Sequence, residues 1–292
     1  MRQQNPIILV SEACCSISDD HFQTDACTFK IAWTINPYMK ISSTCPEKTK
    51  KQHLNFVTLL HDCGAQILLA PFIHGSYDSV FIKDSVILVK ETNGIRAFVT
   101  HPTFPERRVE FELRRLHLEK LGIRIEGCAD RRLEGGDVVV FNKDKKIFMG
   151  FGFRTELKAA KELAHFFKKP IIPLELKDPY FFHLDMALSI LNDGTVFAYK
   201  DAFTQASWEI LCRSVKTLIP VPREEAVRFG LNWVEVNNSV ILGNYIPSIG
   251  KILTKMGKKV YHTALDQFQL AGGSAACLVT QVYNMDNDSG GS

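Results

Sequence analysis

The chain repeats one order of predicted elements about five times, and this repetition constrains the fold more than any other sequence feature. Each unit contains one amphipathic helix. Apolar periodicity predicts these helices at 49–63, 107–121, 155–168, 204–218 and 247–256. Gly64, Gly122 and Gly257 follow three of the helices, as glycines that end helices commonly do.

A short apolar strand follows each predicted helix, and pairs of strands separated by turn residues lie between the units. The single strands are AQILLA, IRIEG, PIIPLEL, LIPVP and KVYHTAL. Modules of roughly 50 residues with this order must close into a ring, because an open array would leave strand edges unpaired. We expect residues 27–35 and 276–282 to pair and close the ring. The predicted fold class is therefore α/β.

Length and composition predict one globular domain. The chain has 292 residues, a formal net charge of +3 and a hydrophobic fraction of 46%, and no linker divides it. We predict a single catalytic domain over 1–283 and a flexible tail over 284–292.

The sequence also limits the partners and the location. No basic run indicates nucleic-acid binding, and no window approaches the ~18 apolar residues of a membrane span. The eight cysteines form no CxxC pair, so we expect reduced thiols and a cytoplasmic protein. The oligomeric state is left open, with a homo-oligomer as one option.

Four short segments place charged residues or glycine pairs beside predicted core strands, where apolar residues are expected. Asp84 interrupts an apolar strand, and His183 and Asp185 lie two residues apart, which on a strand places both on one face. Charged groups beside buried strands are costly unless they are paired or used. The segments are FIKDS (81–85), LEGGD (133–137), FFHLDM (181–186) and LAGGSAAC (270–277).

Together these segments predict nucleophilic chemistry on a flat cation. Carboxylates can hold a guanidinium by paired hydrogen bonds, a thiolate can attack its carbon, and histidine can move protons. Taken alone, Cys277 is a buried small hydrophobe, His183 a structural residue and the glycine pairs are turns. No HExxH, P-loop or GxSxG motif is present, so we predict no metal and no cofactor.

In this order, the motifs resemble the guanidino-group-modifying enzymes: arginine deiminases, dimethylarginine dimethylaminohydrolases and amidinotransferases. The motifs are Asp84 in FIKDS, Glu134 in EGGD, His183-Leu184-Asp185 and Cys277 after a glycine pair. The resemblance extends from about residue 29 to residue 277. It implies the pentein fold, a five-bladed propeller of ββαβ modules arranged as a pseudo-five-fold ring.

The resemblance also implies roles for three catalytic residues. Cys277 corresponds to the nucleophile that forms a thiouronium intermediate. His183 corresponds to the acid that protonates the leaving amine and then activates water. Glu134 corresponds to the carboxylate that orients this histidine.

Five further positions correspond to substrate-binding residues of these enzymes. Asp84 and Asp185 match the pair that holds the guanidinium nitrogens. Arg154, assisted by Arg107, matches the arginine that holds the substrate carboxylate. Asn36 lies in WTINPYM (33–39), which is similar to a segment of bacterial relatives, and is expected to face the site.

Three functions remain open from the sequence. The first is hydrolysis of free or N-methylated arginine to citrulline plus ammonia or a methylamine. The second is amidino transfer to an amine, and the third is a non-catalytic pentein that binds a partner.

Asp185 favours an unsubstituted guanidinium, whereas Asp84 replaces the asparagine of arginine dihydrolases and argues against that reaction. Lys83 replaces an acidic residue of the dimethylarginine hydrolases.

Overall fold

The computed structural model describes residues 5–15, 28–141 and 146–285, and it has an α/β fold. All five predicted helices are present. The helices are α1 (Pro46–Asp62), α2 (Arg108–Lys120), α3 (Ala160–Phe167), α4 (Leu184–Ala187), α5 (Gln205–Ser214), α6 (Arg223–Ala226), α7 (Pro247–Lys255) and α8 (Asp266–Gln269).

Local sequence explains where the long helices begin and end. A proline occupies the first turn of α1 and of α7, where its missing N–H removes no helical hydrogen bond. The Thr204 side chain accepts a hydrogen bond from the Ser207 amide and caps α5. Residues 157–159 form a 3₁₀ turn, so α3 begins later than predicted.

The strands are short, and each of the five predicted post-helix strands is present. The strands are β1 (Ile7–Ser11), β2 (Gln66–Ala70), β3 (Val86–Glu91), β4 (Gly94–Val99), β5 (Arg124–Cys128), β6 (Val138–Phe141), β7 (Lys146–Phe151), β8 (Ile171–Glu175), β9 (Leu188–Ile190), β10 (Thr195–Ala198), β11 (Thr217–Pro220), β12 (Val234–Val236), β13 (Ser239–Leu242), β14 (Lys259–His262) and β15 (Val279–Asn284).

These strands form triples with one pairing pattern. In each triple, two strands pair antiparallel, and a third, reached through a helix, pairs parallel with the second. The triple β15-β1-β2 joins β3-β4-β5 in a six-stranded sheet, because β15 also pairs with β3. The other sheets are β6-β7-β8, β9-β10-β11 and β12-β13-β14. The repeated pattern matches the predicted strand, strand, helix, strand unit.

The predicted pairing of 27–35 with 276–282 is wrong. Strand β15 pairs instead with β1, with Leu9 opposite Thr280. Residues 28–35 contain only an isolated bridge from Thr28 to Cys14, and residue 27 lies outside the described ranges. The physical reason is burial, because Ile8, Leu9 and Val10 are fully buried and fill the inner strand position.

The first strand of each triple is mostly buried, whereas the third strand lies beneath a helix. Helix α2 packs on β5, α3 on β8 and α7 on β14. No helix within the described ranges is both long enough and apolar enough to cross a bilayer. Of the predicted tail, Asn284 ends β15, and residues 286–292 lie outside the described residues.

Candidate active site

The four motif segments occupy equivalent positions in the fold. Each forms a short helical turn directly before the first strand of a triple, so each ends where a buried strand begins. The turns are Ile82–Ser85 before β3, Gly135–Asp137 before β6, Leu184–Ala187 before β9 and Ala276–Leu278 before β15. Equivalent positions in neighbouring modules therefore bring distant segments together.

His183 and Asp185 do not lie on one strand face, which corrects the local prediction. His183 has extended backbone angles and precedes α4, whereas Asp185 lies within α4. Asp137 fixes this turn, because its Oδ1 accepts a hydrogen bond from the Leu184 amide at 3.0 Å. The two side chains consequently contact different groups. Asp84 likewise lies in a 3₁₀ turn rather than within a strand.

Cys277 is buried, and its sulfur contacts two polar side chains. Sγ lies 3.8 Å from Asp185 Oδ2 and 3.3 Å from Asn232 Nδ2. Burial, followed by the negative charges of Asp185 and Asp84, raises the pKa of the Cys277 thiol well above its ordinary value. The sulfur is therefore a neutral thiol at neutral pH in the protein without substrate.

His183 lies between two carboxylates. Its Nε2 is 2.8 Å from Glu134 Oε2, and its Nδ1 is 3.6 Å from Asp84 Oδ1. Burial alone would lower the pKa of His183, but Asp84 and the hydrogen bond with Glu134 outweigh burial and raise it to about 9. The imidazole is therefore a cation at neutral pH and can donate a proton.

Glu134 is fully buried and is held as an anion. Its Oε2 accepts hydrogen bonds from Arg154 Nη1 at 3.0 Å and from His183. Burial opposes ionisation, but Arg154 and His183 hold the pKa of Glu134 well below its usual range. Glu134 is thus suited to orient the imidazole and to stabilise its charge.

The loop that carries Glu134 approaches His183 so closely that only glycine fits. A Cβ on Gly136 would lie 2.6 Å from His183 Nδ1 and 2.8 Å from Asp84 Oδ1. The Gly136 amide donates to Asp84 Oδ1 at 3.2 Å. The absent side chain therefore lets the backbone bind the aspartate beside the histidine.

The two predicted carboxylate-binding arginines are buried and ion-paired in different ways. Arg107 donates from Nη1 to Asp84 Oδ2 at 2.6 Å, from Nε to Glu110, and from Nη2 to the carbonyls of residues 78 and 81. Among the described residues, Arg154 donates hydrogen bonds to Glu134 and to the carbonyl of residue 35 and to no other group. Arg154 therefore retains more N–H groups for a ligand than Arg107 does.

A small cavity collects most of the predicted site residues. We call it the substrate cavity, and Asn36, Asp84, Arg107, Arg154, His183 and Cys277 line it, together with Asp78 and the loop 271–273. Asn36 also ties two segments together, since its Nδ2 donates to the Ala271 carbonyl at 2.9 Å. Asp185 contacts the Cys277 sulfur but lines a neighbouring second cavity instead.

Sequence reasoning missed two polar residues of the site. Asn232 is fully buried; its Oδ1 accepts from the Ala276 amide at 3.0 Å, and its Nδ2 points at the Cys277 sulfur. Asn232 lies just before β12, the first strand of its triple, and the four motif segments lie at the same position in their own triples. This shared position is the signal that could have identified it. Asp78, in the YDSVF segment, accepts a hydrogen bond from Trp33 Nε1 at 2.6 Å.

One group of side chains has the composition of a metal site. Ligand atoms of Asp84, Glu134 and His183 lie within 4.8 Å of one another. However, Arg107 neutralises Asp84 and Arg154 neutralises Glu134. A metal ion bound here would lie beside these two guanidinium groups, which disfavours it, and the carboxylates are already neutralised in the ion-pair network.

Comparisons with known proteins identify one matching family and several relatives. The family described as N,N dimethylarginine dimethylhydrolase, eukaryotic, matches residues 19–284. The chain is 28% identical, over 87% of its own length and 83% of the relative's length, to the N(G),N(G)-dimethylarginine dimethylaminohydrolase of Mycobacterium tuberculosis. It is 27% identical, over 90% of its length, to the bifunctional arginine dihydrolase/ornithine cyclodeaminase ArgZ of Synechocystis, but spans only 36% of that relative.

Solved structures show the same fold. The N-terminal domain of ArgZ, an arginine dihydrolase from cyanobacteria bound to product, superposes with a TM-score of 0.87 at 25% identity, covering 97% of this chain and 100% of that domain. A citrulline complex of the dimethylarginine dimethylaminohydrolase of Pseudomonas aeruginosa superposes with a TM-score of 0.74 at 19% identity, covering 96% and 100%. The latter likeness concerns the fold alone.

Proposed function

Because the chain belongs to the eukaryotic N,N dimethylarginine dimethylhydrolase family, we propose that it hydrolyses a C–N bond of free or N-methylated arginine. The products are citrulline and either ammonia or a methylamine. Membership in this family confirms the resemblance to guanidino-group-modifying enzymes. The observation that carries the proposal is the substrate cavity, which joins Cys277, the cationic His183 and the carboxylate of Asp84.

Substrate binding activates the nucleophile. The Cys277 thiol is neutral because it is buried beside Asp185 and Asp84. A guanidinium bound next to these carboxylates brings a positive charge to the sulfur, which favours the thiolate and releases the thiol proton to solvent. The free enzyme therefore keeps its thiol unreactive until a cationic substrate arrives.

The first chemical step forms a covalent intermediate. The thiolate attacks the central guanidinium carbon, and a C–S bond forms. His183 donates its proton to one terminal nitrogen, the C–N bond breaks, and ammonia or a methylamine leaves. A thiouronium on Cys277 and a neutral His183, still held by Glu134, remain.

The second step regenerates the enzyme. Neutral His183 removes a proton from water, and the resulting hydroxide adds to the thiouronium carbon. The C–S bond then breaks, and the remaining hydroxyl proton of the adduct is released to solvent as the carbonyl of citrulline forms. Citrulline leaves, and Cys277 returns as a thiolate with His183 protonated again. His183 accepts in this step the proton equivalent that it donated in the first.

Asp185 favours an unsubstituted guanidinium over a dimethylated one. Its Oδ1 is buried and has no hydrogen-bond partner among the described residues. Although Asp185 lines the second cavity, its carboxylate lies beside the Cys277 sulfur that the guanidinium carbon must approach. A terminal NH₂ of arginine can donate to this carboxylate, whereas a dimethylated nitrogen carries no N–H and leaves the acceptor unsatisfied. We therefore propose arginine as the preferred substrate, with methylarginine second.

Product analysis tests the proposal against its alternatives. The protein is incubated separately with arginine, monomethylarginine and dimethylarginine, and the products are identified by mass spectrometry. Citrulline is the expected product. Ornithine formed together with a new guanidino compound, when an amine acceptor is present, supports amidino transfer; ornithine without an acceptor supports the dihydrolase reaction of the cyanobacterial relatives.

The control for this experiment is Cys277→Ala, which removes the sulfur and leaves a fold-compatible small side chain. We expect no product from this variant and an unchanged unfolding midpoint. Wild-type protein that converts none of the compounds supports the non-catalytic binding module instead. Full activity of Cys277→Ala would exclude the thiouronium mechanism.

We also propose that the five strand triples surround one axis as the blades of a propeller. The equivalent positions of the four motif turns support this arrangement, because their side chains meet in one place although their modules are distant in sequence. An experimental structure that separates the triples into two bodies would contradict it.

A further inference from the structure

A second cavity lies next to the substrate cavity, and the mechanism above does not use it. Its charged and polar lining includes Lys83, Asp185, Asn192, Glu235, Gln281 and Tyr283. Asp185 connects the two cavities, because it lines the second while its Oδ2 lies 3.8 Å from the Cys277 sulfur. A charge in the second cavity can therefore influence the nucleophile.

Lys83 is held in this second cavity by neutral groups. Its ammonium donates to the Tyr283 hydroxyl at 3.0 Å and to the Val138 carbonyl at 3.4 Å, and it lies 5.6 Å from the centre of the Tyr283 ring. Among the residues that the structure describes, no carboxylate lies within 4.0 Å of the Lys83 ammonium. Its charge is thus oriented but not neutralised by a direct ion pair.

Of the two carboxylates that line the second cavity, Asp185 is the one whose negative charge the Lys83 ammonium can offset. Glu235 is already neutralised by Lys258 at 2.6 Å. Electrostatic attraction acts between Lys83 and both Asp185 and Cys277. Lys83 and Asp185 therefore line the same second cavity, and their opposite charges attract each other.

We propose that Lys83 is a positioning residue that offsets the negative charge of Asp185 and so favours the thiolate of Cys277 from outside the substrate cavity. The inference deepens the proposed function and rests on it in one respect, namely that Cys277 is the nucleophile.

The electrostatics of Asp185 give the expected direction. Burial raises the pKa of Asp185 to about 6, and Lys83 and His183 oppose that rise. Without Lys83, this ammonium no longer offsets the negative charge of Asp185 beside the sulfur, so the thiolate of Cys277 is disfavoured. The titratable and charged groups that face Asp185 are His183, Lys83, Asp84, Cys277 and, across the second cavity, Glu235.

Alkylation of Cys277 by iodoacetamide measures this effect without requiring turnover. The rate is followed at several pH values by mass spectrometry of the peptide that contains residue 277. We expect Lys83→Met to shift the profile to higher pH by about one unit, which is about tenfold slower alkylation at a fixed pH below the thiol pKa. Lys83→Arg, which keeps the charge, restores the wild-type profile.

Two further variants separate charge from structure. Lys83→Gln removes the charge but keeps a donor for the Tyr283 hydroxyl, so it tests the inference if Lys83→Met does not fold. Tyr283→Phe removes the hydroxyl and keeps the ammonium, and it shifts the profile less than Lys83→Gln does. A Lys83→Gln profile that superimposes on the wild-type profile, in a folded protein, overturns the inference.

The alkylation experiment distinguishes failure of the Lys83 inference from failure of the proposed hydrolase function. If the wild-type protein converts no guanidino compound but Lys83→Gln still shifts alkylation, the role of Lys83 stands and the hydrolase proposal fails. If the wild-type protein hydrolyses arginine and Lys83→Gln leaves the alkylation profile unchanged, the role of Lys83 fails alone.

Discussion

The imidazole Nε2 of His183 lies 2.8 Å from Oε2 of Glu134, and both side chains are almost fully buried. The pair joins two turns that are 49 residues apart in the chain. Arg154 Nη1 donates to the same Glu134 oxygen. Arg154, Glu134 and His183 therefore form one continuous chain of ion pairs. Together with Asp84, this chain of ion pairs sets the pKa of His183 and therefore when the histidine carries a proton.

Replacing Glu134 by glutamine should move the alkaline limit of activity to lower pH. The wild-type pKa of His183 is raised to about 9 by Asp84 and by Glu134, so removing one carboxylate lowers it. Because the proposed acid must be protonated, kcat should fall as pH rises through the lowered pKa, about one unit or more below the wild-type limit. The pH profile of kcat measures this shift.

The matched control for that variant is Glu110→Gln. Glu110 is also buried and is paired with Arg107, but it makes no contact with His183. The kcat of Glu110→Gln should fall at the same alkaline pH as the kcat of the wild type. If both variants shift equally, the effect reflects the general loss of a buried charge rather than the histidine pair.

Gly136→Ala should reduce activity more than stability. The added methyl group would lie 2.6 Å from His183 Nδ1, so the imidazole must move away from its position beside Glu134. We expect kcat to fall at least about tenfold and the free energy of unfolding to fall by about 1–3 kcal/mol. Turnover assays and urea unfolding measure the two effects.

Gly127→Ala provides a comparison away from the site. Its Cβ would meet the Phe98 ring at 3.1 Å, which is a milder local conflict without a catalytic neighbour. A loss of stability with unchanged kcat is expected. Equal losses of kcat in the two alanine variants would contradict the interpretation of the Gly136 contact.

Arg154→Lys should impair binding of substrates that carry a carboxylate. Arg154 lines the substrate cavity and donates to only two protein groups, so it has N–H groups available for a ligand. We expect kcat/KM for arginine to fall about tenfold more than kcat/KM for agmatine, which lacks the carboxylate. An equal loss for both compounds would assign Arg154 to orienting Glu134 alone.

Arg107→Lys should mainly destabilise the fold. Arg107 holds Asp84 and Glu110 and also two backbone carbonyls, and lysine cannot reproduce this planar set of donors. Leaving buried carboxylates incompletely paired should cost about 3–5 kcal/mol of unfolding free energy. Chemical denaturation measures the loss, and an unchanged midpoint would disprove it.

Asn232→Ala should lower kcat with little change in KM. The side chain donates to the Cys277 sulfur and accepts from the Ala276 amide, so it positions the nucleophile rather than the substrate. We expect kcat to fall about tenfold to a hundredfold. Asn238→Ala is the control, because Asn238 is exposed and donates only to the Gly257 carbonyl; a similar fall in that variant would contradict the role of Asn232.

Several parts of the molecule were accessible from sequence because they depend on local chemistry. Apolar periodicity identified the helices, and the strands after them are short apolar runs whose positions follow from the repeat. The motif segments were recognisable because charged residues beside buried strands are unusual. The α/β fold class and the repeated order of elements follow from these local signals.

Long-range pairing was not accessible in the same way. Both 7–11 and 27–35 contain apolar residues of strand type, and only complete burial of Ile8, Leu9 and Val10 distinguishes the strand that pairs with β15. Likewise, the two-residue spacing of His183 and Asp185 predicts one face only if the backbone is a strand, and the Asp137 hydrogen bond ends the extended segment there.

The sequence by itself determined the repeated modules and the types of side chain that such a site requires. Tertiary structure decided which atoms meet: Asn232 against the sulfur of Cys277, Arg107 on Asp84, and Lys83 in the second cavity behind Asp185. The physical reason is that secondary structure follows from interactions between near neighbours in the chain, whereas pKa values and hydrogen bonds in a buried site depend on groups from modules far apart in sequence.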